Sequence, residues 1–197
     1  MDSSRRLIFI IRHGQTEWNH QGRWQGHIGP GLNLKGIEQI RSAAEKLTKF
    51  RIETIVSSDT LRARESAEIL EEYLNTGTII YDEKLRERMM GNLAGLTEAE
   101  ILRMHPEIFL TKGLLGKYNI EDSEQWEKFV QRSRSAFLEI TQKHNGNIAI
   151  MTHGGVIDQM IILITGDETY PIVPNGNITS IEEERSSRTM RMLQYSL

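Results

Sequence analysis

Two short strings pair histidine with glycine behind an apolar run. Leu7-Ile8-Phe9-Ile10-Ile11 leads into Arg12-His13-Gly14, and Asn147-Ile148-Ala149-Ile150-Met151 leads into Thr152-His153-Gly154-Gly155. One histidine at a strand end is ordinary; two with matching punctuation point to a shared site, provided the two strands are neighbours. A third apolar run, Ile52 to Val56, ends in Ser57-Ser58-Asp59-Thr60-Leu61-Arg62. Arg62 then falls in the first turn of the following helix and can reach back over the same rim. Arg12 and Arg62 together offer planar guanidinium forks that match phosphate oxygens. Backbone N–H groups at a helix start after Gly154 would add donors and a favourable dipole. Leu85-Arg86-Glu87-Arg88 supplies a carboxylate, Glu87, for the same place. The chemistry these residues suit is the capture of a phosphorylated ligand.

The elements that must position them follow from periodicity. Leu7–Ile11, Ile52–Val56, Thr78–Tyr81 and Asn147–Met151 are short apolar or β-branched runs, as in strands buried on both faces. Asn33–Phe50, Thr60–Leu74 and a stretch from about Ser123 to Lys143 repeat apolar residues at helical spacing, and Val156–Ile164 is an apolar helix opened by two glycines. Ile178–Glu183 and Thr189–Tyr195 alternate apolar and polar residues, which predicts a hairpin with one wet face. Strands alternating with helices predict an α/β fold: three layers, α/β/α, with a mostly parallel central sheet and an antiparallel edge strand. In such sheets ligands bind beyond the carboxyl ends of the strands, where both His-Gly strings would lie. No repeat or linker divides the chain, so a single domain over 1–197 is expected. The segment from about 89 to 126 fits least well. It holds a helix over Thr97–Met104, then Pro106 and a Gly-containing stretch, and reads as a cap-like insertion or an ordinary surface excursion.

Composition narrows the classes. The 24 Lys+Arg against 27 Asp+Glu give a net charge of −3, so a nucleic-acid partner is not expected. Without cysteine there is no disulfide framework, thiol nucleophile or Cys-ligated metal. That is compatible with a reducing cytosol, and a cytoplasmic location is expected. No apolar run approaches the ~20 residues of a membrane span, so no membrane partner is expected. His20, His27, His105 and His144 show no metal-ligand spacing, and there is no Walker-type loop; neither a metal nor another cofactor is expected. Oligomeric state, monomer or homodimer, is not readable.

Arg12-His13-Gly14-Gln15-Thr16-Glu17-Trp18-Asn19 resembles the signature of the histidine phosphatase superfamily, which includes the cofactor-dependent phosphoglycerate mutases. The likeness continues in order through Gly22-Arg23-Trp24-Gln25-Gly26, Leu32 to Gly36, Ser57 to Ala63, Leu85-Arg86-Glu87 with Gly91, and Thr152 to Gly155. The resemblance implies a phosphoglycerate mutase-like fold and a phosphohistidine mechanism. His13 would be the nucleophile. Arg12, Arg62 and His153 would form the phosphate pocket, with Asn19 and the Gly154 backbone as further donors and Thr16, Arg23 and Gln25 among the substrate-binding residues. Glu87 would protonate the leaving oxygen and then deprotonate the attacking water. The substrate would be a small-molecule phosphate ester.

Departures from the mutase pattern separate the branches. Where mutases carry Glu-Arg-His-Tyr-Gly and then Leu-Asn-Lys, this chain reads Glu87-Arg88-Met89-Met90-Gly91 and Leu96-Thr97-Glu98. Met90 replaces an aromatic hydroxyl, and Glu98 would repel a phosphoglycerate carboxylate where mutases place a lysine. Gly154-Gly155 after the second histidine is the phosphatase form, although Ala94 stands where small phosphatases commonly carry Glu. A phosphomonoester hydrolase is the reading, with a cofactor-dependent phosphoglycerate mutase as the alternative. A non-catalytic phospho-ligand-binding regulator on the same fold is a third.

Overall fold

The computed structural model describes residues 5–106, 119 and 122–194. Its strands are β1 (Arg5–Arg12), β2 (Ile52–Ser57), β3 (Ile79–Tyr81), β4 (Asn147–Thr152), β5 (Ile178–Glu184) and β6 (Thr189–Gln194). The helices are α1 (Glu17–His20), α2 (Leu34–Leu47), α3 (Leu61–Leu74), α4 (Glu98–Met104), α5 (Trp126–Lys143) and α6 (Gly154–Thr165). The strands form one sheet in the order β3-β2-β4-β1-β5-β6. β1 pairs in parallel with β4, and β4 with β2, while β5 and β6 run antiparallel.

Alternation along β1 sorts the core into two layers. Ile8 and Ile10 face Phe129, Phe137, Val156 and Met160 of α5 and α6. Phe9 and Ile11 face Ile40, Ala44 and Leu47 of α2 and Ala63, Ala67 and Leu70 of α3. Each of the larger side chains among these, fully removed from water, stabilises the fold by about 1.5–3 kcal/mol, and both faces of the parallel strands are covered as a continuous apolar run requires. The three-layer α/β/α sheet is as expected.

The differences have local causes. Asn33 and Thr60 stand outside their helices as extended N-cap residues, Asn33 accepting the Gly36 N–H through its side chain. α5 starts at Trp126, later than periodicity suggests, because Glu124 pairs its N–H with Met89 O at 2.9 Å and Gln125 has non-helical backbone. The hairpin does not have one wet face throughout. β5 lies inside the sheet between β1 and β6 and is largely buried, so only β6 shows the alternation, with Met190 and Met192 inward. Part of the cap-like stretch, 107–118 and 120–121, lies outside the described residues, as does Tyr195. Among the described residues no helix is long and apolar enough to cross a membrane.

Candidate active site

Parallel pairing of β1 with β4 sets Arg12 opposite Thr152, so the two His-Gly strings leave the sheet side by side. His13 N–H donates to Thr152 O at 2.9 Å, and the imidazole centroids of His13 and His153 are 5.0 Å apart. Gly14 is required beside His13 because a Cβ there would stand 2.4 Å from Gly36 O at the start of α2.

Arg62, at the head of α3, lies between the two rings and is 2 % exposed. Its Nε–H donates to His13 Nε2 at 3.2 Å, and an Nη2 hydrogen donates to His153 Nδ1 at 3.1 Å. Gly26 O and Ile28 O accept from Nη2 and Nη1 at 2.7 and 3.3 Å, leaving an Nη1 hydrogen unengaged among the described residues. A guanidinium only donates, so the ring nitrogens facing it carry lone pairs. The tautomers follow. His13 holds its proton on Nδ1, donated to Gly14 O at 2.8 Å, and keeps Nε2 unprotonated as the acceptor of the Arg62 Nε–H. His153 holds its proton on Nε2, donated to Ser58 Oγ at 2.9 Å. Burial first, then Arg62, then further charges including Arg12, hold both imidazoles well below their usual titration range, so both are neutral at pH 7.

Among the described residues Arg12 is fixed by one bond, Nη1–H to Val173 O at 2.7 Å, and its buried Nε–H has no partner. A Cβ on Gly154 would approach Arg12 Cζ to 3.3 Å, so glycine lets the guanidinium lie against the start of α6. Glu87 sits in the irregular stretch after a 3-10 turn at Glu83–Leu85. Its Oε2 accepts the Gly155 N–H at 3.0 Å and its Oε1 the Arg88 N–H at 2.9 Å. A Cβ on Gly155 would stand 2.5 Å from Glu87 Oε1, which is the reason for the second glycine.

The remaining predicted residues divide. Asn19 Oδ1 accepts from Thr16 and from Asn175 Nδ2, leaving its own Nδ2 without a hydrogen bond among the described residues. Thr16 is fully buried, and its hydroxyl is engaged in the capping box of α1 and with Gln25 Oε1 at 3.2 Å. Arg23 is turned towards α4, donating to Gly95 O at 2.7 Å and pairing with Glu100 at 3.1 Å. Trp24 packs against the small cluster of Met90, Leu93 and Ile101, and Trp18 against Gly95. The structure thus brings together Arg12, His13, Arg62, Glu87, His153 and Gly154, with Asn19 beside them.

Three contributors carry little or no local sequence signal. Asn175 Nδ2 donates to His13 O at 3.0 Å, and the Gly176 N–H donates to Arg12 O at 3.1 Å, so the loop before β5 pins the nucleophile strand. Asp158 lies one turn along α6 from the two glycines, close enough to Arg12 and Glu87 to feel both charges. Burial, then Glu87, push its carboxyl up to about 7. Its place on an apolar helix was the one available hint. The third, Arg132, is taken up below. Among the described residues no group of three or more His, Asp or Glu side chains could hold a metal ion.

The arrangement is a neutral, correctly tautomerised imidazole among cationic donors, with a carboxylate across from it. A family model for the histidine phosphatase superfamily (branch 1) matches residues 8–195. The chain belongs to the histidine phosphatase superfamily. Among relatives of this histidine phosphatase domain, it is 33% identical over 179 residues to the metal-independent phosphoserine phosphatase of Arabidopsis thaliana, covering 88% of this chain and 75% of that one. It is 35% identical over 156 residues to phosphoglycerate mutase-like protein 4 of the same plant, covering 76% and 67%. The mycobacterial glucosyl-3-phosphoglycerate phosphatase, solved in complex with VO3, superposes with a TM-score of 0.81 at 27% identity, covering 95% of this chain and 96% of that one. This histidine phosphatase has the phosphoglycerate mutase-like fold that its motifs imply.

Proposed function

We propose that this protein hydrolyses the phosphate monoester of a small metabolite through a phosphohistidine on His13. The carrying observation is the His13 tautomer: Nδ1–H is held by Gly14 O, so Nε2 carries the lone pair at neutral pH, and attack on phosphorus exchanges its bond from the Arg62 Nε–H for the new P–N bond. In the first step Nε2 attacks phosphorus, the ester P–O bond breaks, and the leaving oxygen takes a proton from Glu87. In the second, water attacks phosphorus, the P–N bond breaks, and the water proton returns to Glu87. Arg12 Nε, the unengaged hydrogen of Arg62, Asn19 Nδ2 and the Gly154 N–H are the donors for the three non-bridging oxygens. Such catalysis is chiefly positioning and charge stabilisation. Both ring nitrogens of His153 are occupied, so its part is to hold Arg62 in place between the imidazoles.

Met90 supports hydrolysis over mutase chemistry. It is packed with Leu93 and Ile101, so the position offers no hydroxyl to grip a second substrate end. The phosphoserine and glucosyl-3-phosphoglycerate phosphatases among its relatives make those two esters the first substrates to try. A cytoplasmic site of action, where such metabolites turn over, belongs to the same reading. His13→Ala should lower turnover of p-nitrophenyl phosphate on the order of 10³-fold or more, and an acid-labile phosphoenzyme should be trapped only with His13 present. Full activity in His13→Ala would overturn the mechanism. Activity should also survive EDTA; a strict need for an added divalent ion would argue against it.

A further inference from the structure

Glu87 is carried by backbone that belongs to no strand or helix, so the carbonyls around it need partners from elsewhere. Most of them come from one side chain. Arg132, on α5, donates through Nη1 to Lys84 O at 2.7 Å and to Arg86 O at 2.9 Å, and through Nη2 to Glu87 O at 3.4 Å. The fork is itself held by Glu124, with Nε to Oε1 at 2.8 Å and Nη2 to Oε2 at 2.7 Å, and it lies over the Phe129 ring at 5.4 Å. Glu124 in turn exchanges bonds with Met89, its N–H donating to Met89 O at 2.9 Å and its Oε2 accepting the Met89 N–H at 3.3 Å. Other fasteners share the stretch without reaching both peptides that flank Glu87: Thr152 Oγ1 donates to Leu85 O at 2.7 Å, Arg86 forks onto Asp59 at 2.6 and 2.5 Å, and His27 bonds the Glu87 backbone.

We propose that Arg132 is the positioning residue for the general acid, setting the peptide on either side of Glu87 so that its carboxylate meets the leaving oxygen. Arg132 touches neither substrate nor reacting atoms. It fixes the 84–87 backbone, while the Gly155 and Arg88 N–H groups fix the carboxylate from the other end. Only a planar guanidinium can serve three carbonyls and a carboxylate at once; a lysine ammonium has the charge without the fork. A misplacement of ~1 Å at a reacting group costs about 10²-fold in rate, so loosening this peptide is enough to disable proton transfer without emptying the phosphate pocket.

The proposal rests on Glu87 acting as general acid, and the test keeps the two separable. The readout is kcat/KM, which reports the step that forms the phosphoenzyme, for p-nitrophenyl phosphate and for phenyl phosphate. The first leaving group departs unaided and the second needs a proton. Arg132→Gln is expected to lower kcat/KM for phenyl phosphate about 10- to 100-fold and to leave p-nitrophenyl phosphate within about threefold. Arg132→Lys should behave like Arg132→Gln. Glu87→Gln should show the same split, and adding Arg132→Gln to it should cost nothing more on phenyl phosphate. If Glu87→Gln shows the split and Arg132→Gln lowers both esters equally or neither, the positioning role is overturned. If Glu87→Gln itself shows no split, the acid assignment falls and the proposal with it. Glu124→Gln, which keeps the carbonyl bonds but frees the fork, should give the split in smaller size, and serves if Arg132→Gln does not fold.

Discussion

At the scale of single residues the site is governed by which groups are forced to be neutral. Arg62 fixes the tautomers of both histidines by donating to each, and burial with its charge keeps them unprotonated. Asp158 is the counterpart among the carboxyls. Burial and the charge of Glu87 raise it from the ordinary 3.8 to about 7, with Arg12 pulling the other way. The folded state therefore holds a proton that the unfolded state has lost between pH 4 and 7, and stability from this group falls as pH rises through that window. Asp158→Asn removes the titration. It should match the wild type near pH 4 and exceed it by about 1–3 kcal/mol above pH 7, visible as a Tm difference that opens with pH. Parallel Tm–pH curves for the two proteins would refute this account of Asp158. The same substitution leaves His13 untouched, so the phosphoenzyme should still form.

At the scale of elements, what could be read in the sequence was whatever is local. The apolar run before Arg12-His13 declares β1, the matching run before His153 declares β4, and alternation of strand with helix declares the parallel sheet. What could not be read is held by pairs far apart in sequence. Asn175 meets His13, Arg132 meets the carbonyls of 84–87, and Arg6 meets Glu183 across 177 positions, none with a spacing that marks it. Arg23, which the motif resemblance gave to the substrate, also has long-range partners that no spacing marks: its Nη1 donates to Gly95 O and Glu100.

The Arg6 pairing is an element-scale device that can be tested. Its Nε–H lies 2.5 Å from Glu183 on β5, both side chains are buried, and its Nη groups donate to the carbonyls of Thr141 and His144 that end α5. One guanidinium thus joins β1, β5 and the last turn of α5. Arg6→Met leaves a buried carboxylate unpaired and should cost about 3–5 kcal/mol, measured by urea unfolding. Arg6→Met combined with Glu183→Leu should recover much of that loss, because no charge then remains uncompensated. A double variant no more stable than Arg6→Met would show that the loss comes from the α5 carbonyls alone.

At the scale of the whole molecule, the site is a meeting point rather than the property of one element. His13 leaves β1, His153 leaves β4, Ser58 and Arg62 follow β2, Glu87 follows β3, and the 173–177 loop before β5 closes on Arg12 and His13. An oxyanion bound there touches groups from both sides of the sheet, so its binding energy cannot be confined to a part of the fold. We propose that the chain unfolds as one domain and that ligand binding stabilises all of it. Orthovanadate or phosphate at 100 times its Kd should add about 2.7 kcal/mol, raising a single Tm. Tryptophan fluorescence and far-ultraviolet circular dichroism should report that same Tm with and without the anion, since Trp18 packs on Gly95, Trp24 on the Met90 cluster, and Trp126 starts α5. Arg62→Ala should abolish the anion-induced shift, because it removes the donor shared by both histidines. Two separated transitions, with only one moved by the anion, would show instead that the phosphate pocket belongs to a subdomain and that the sheet does not carry its binding energy.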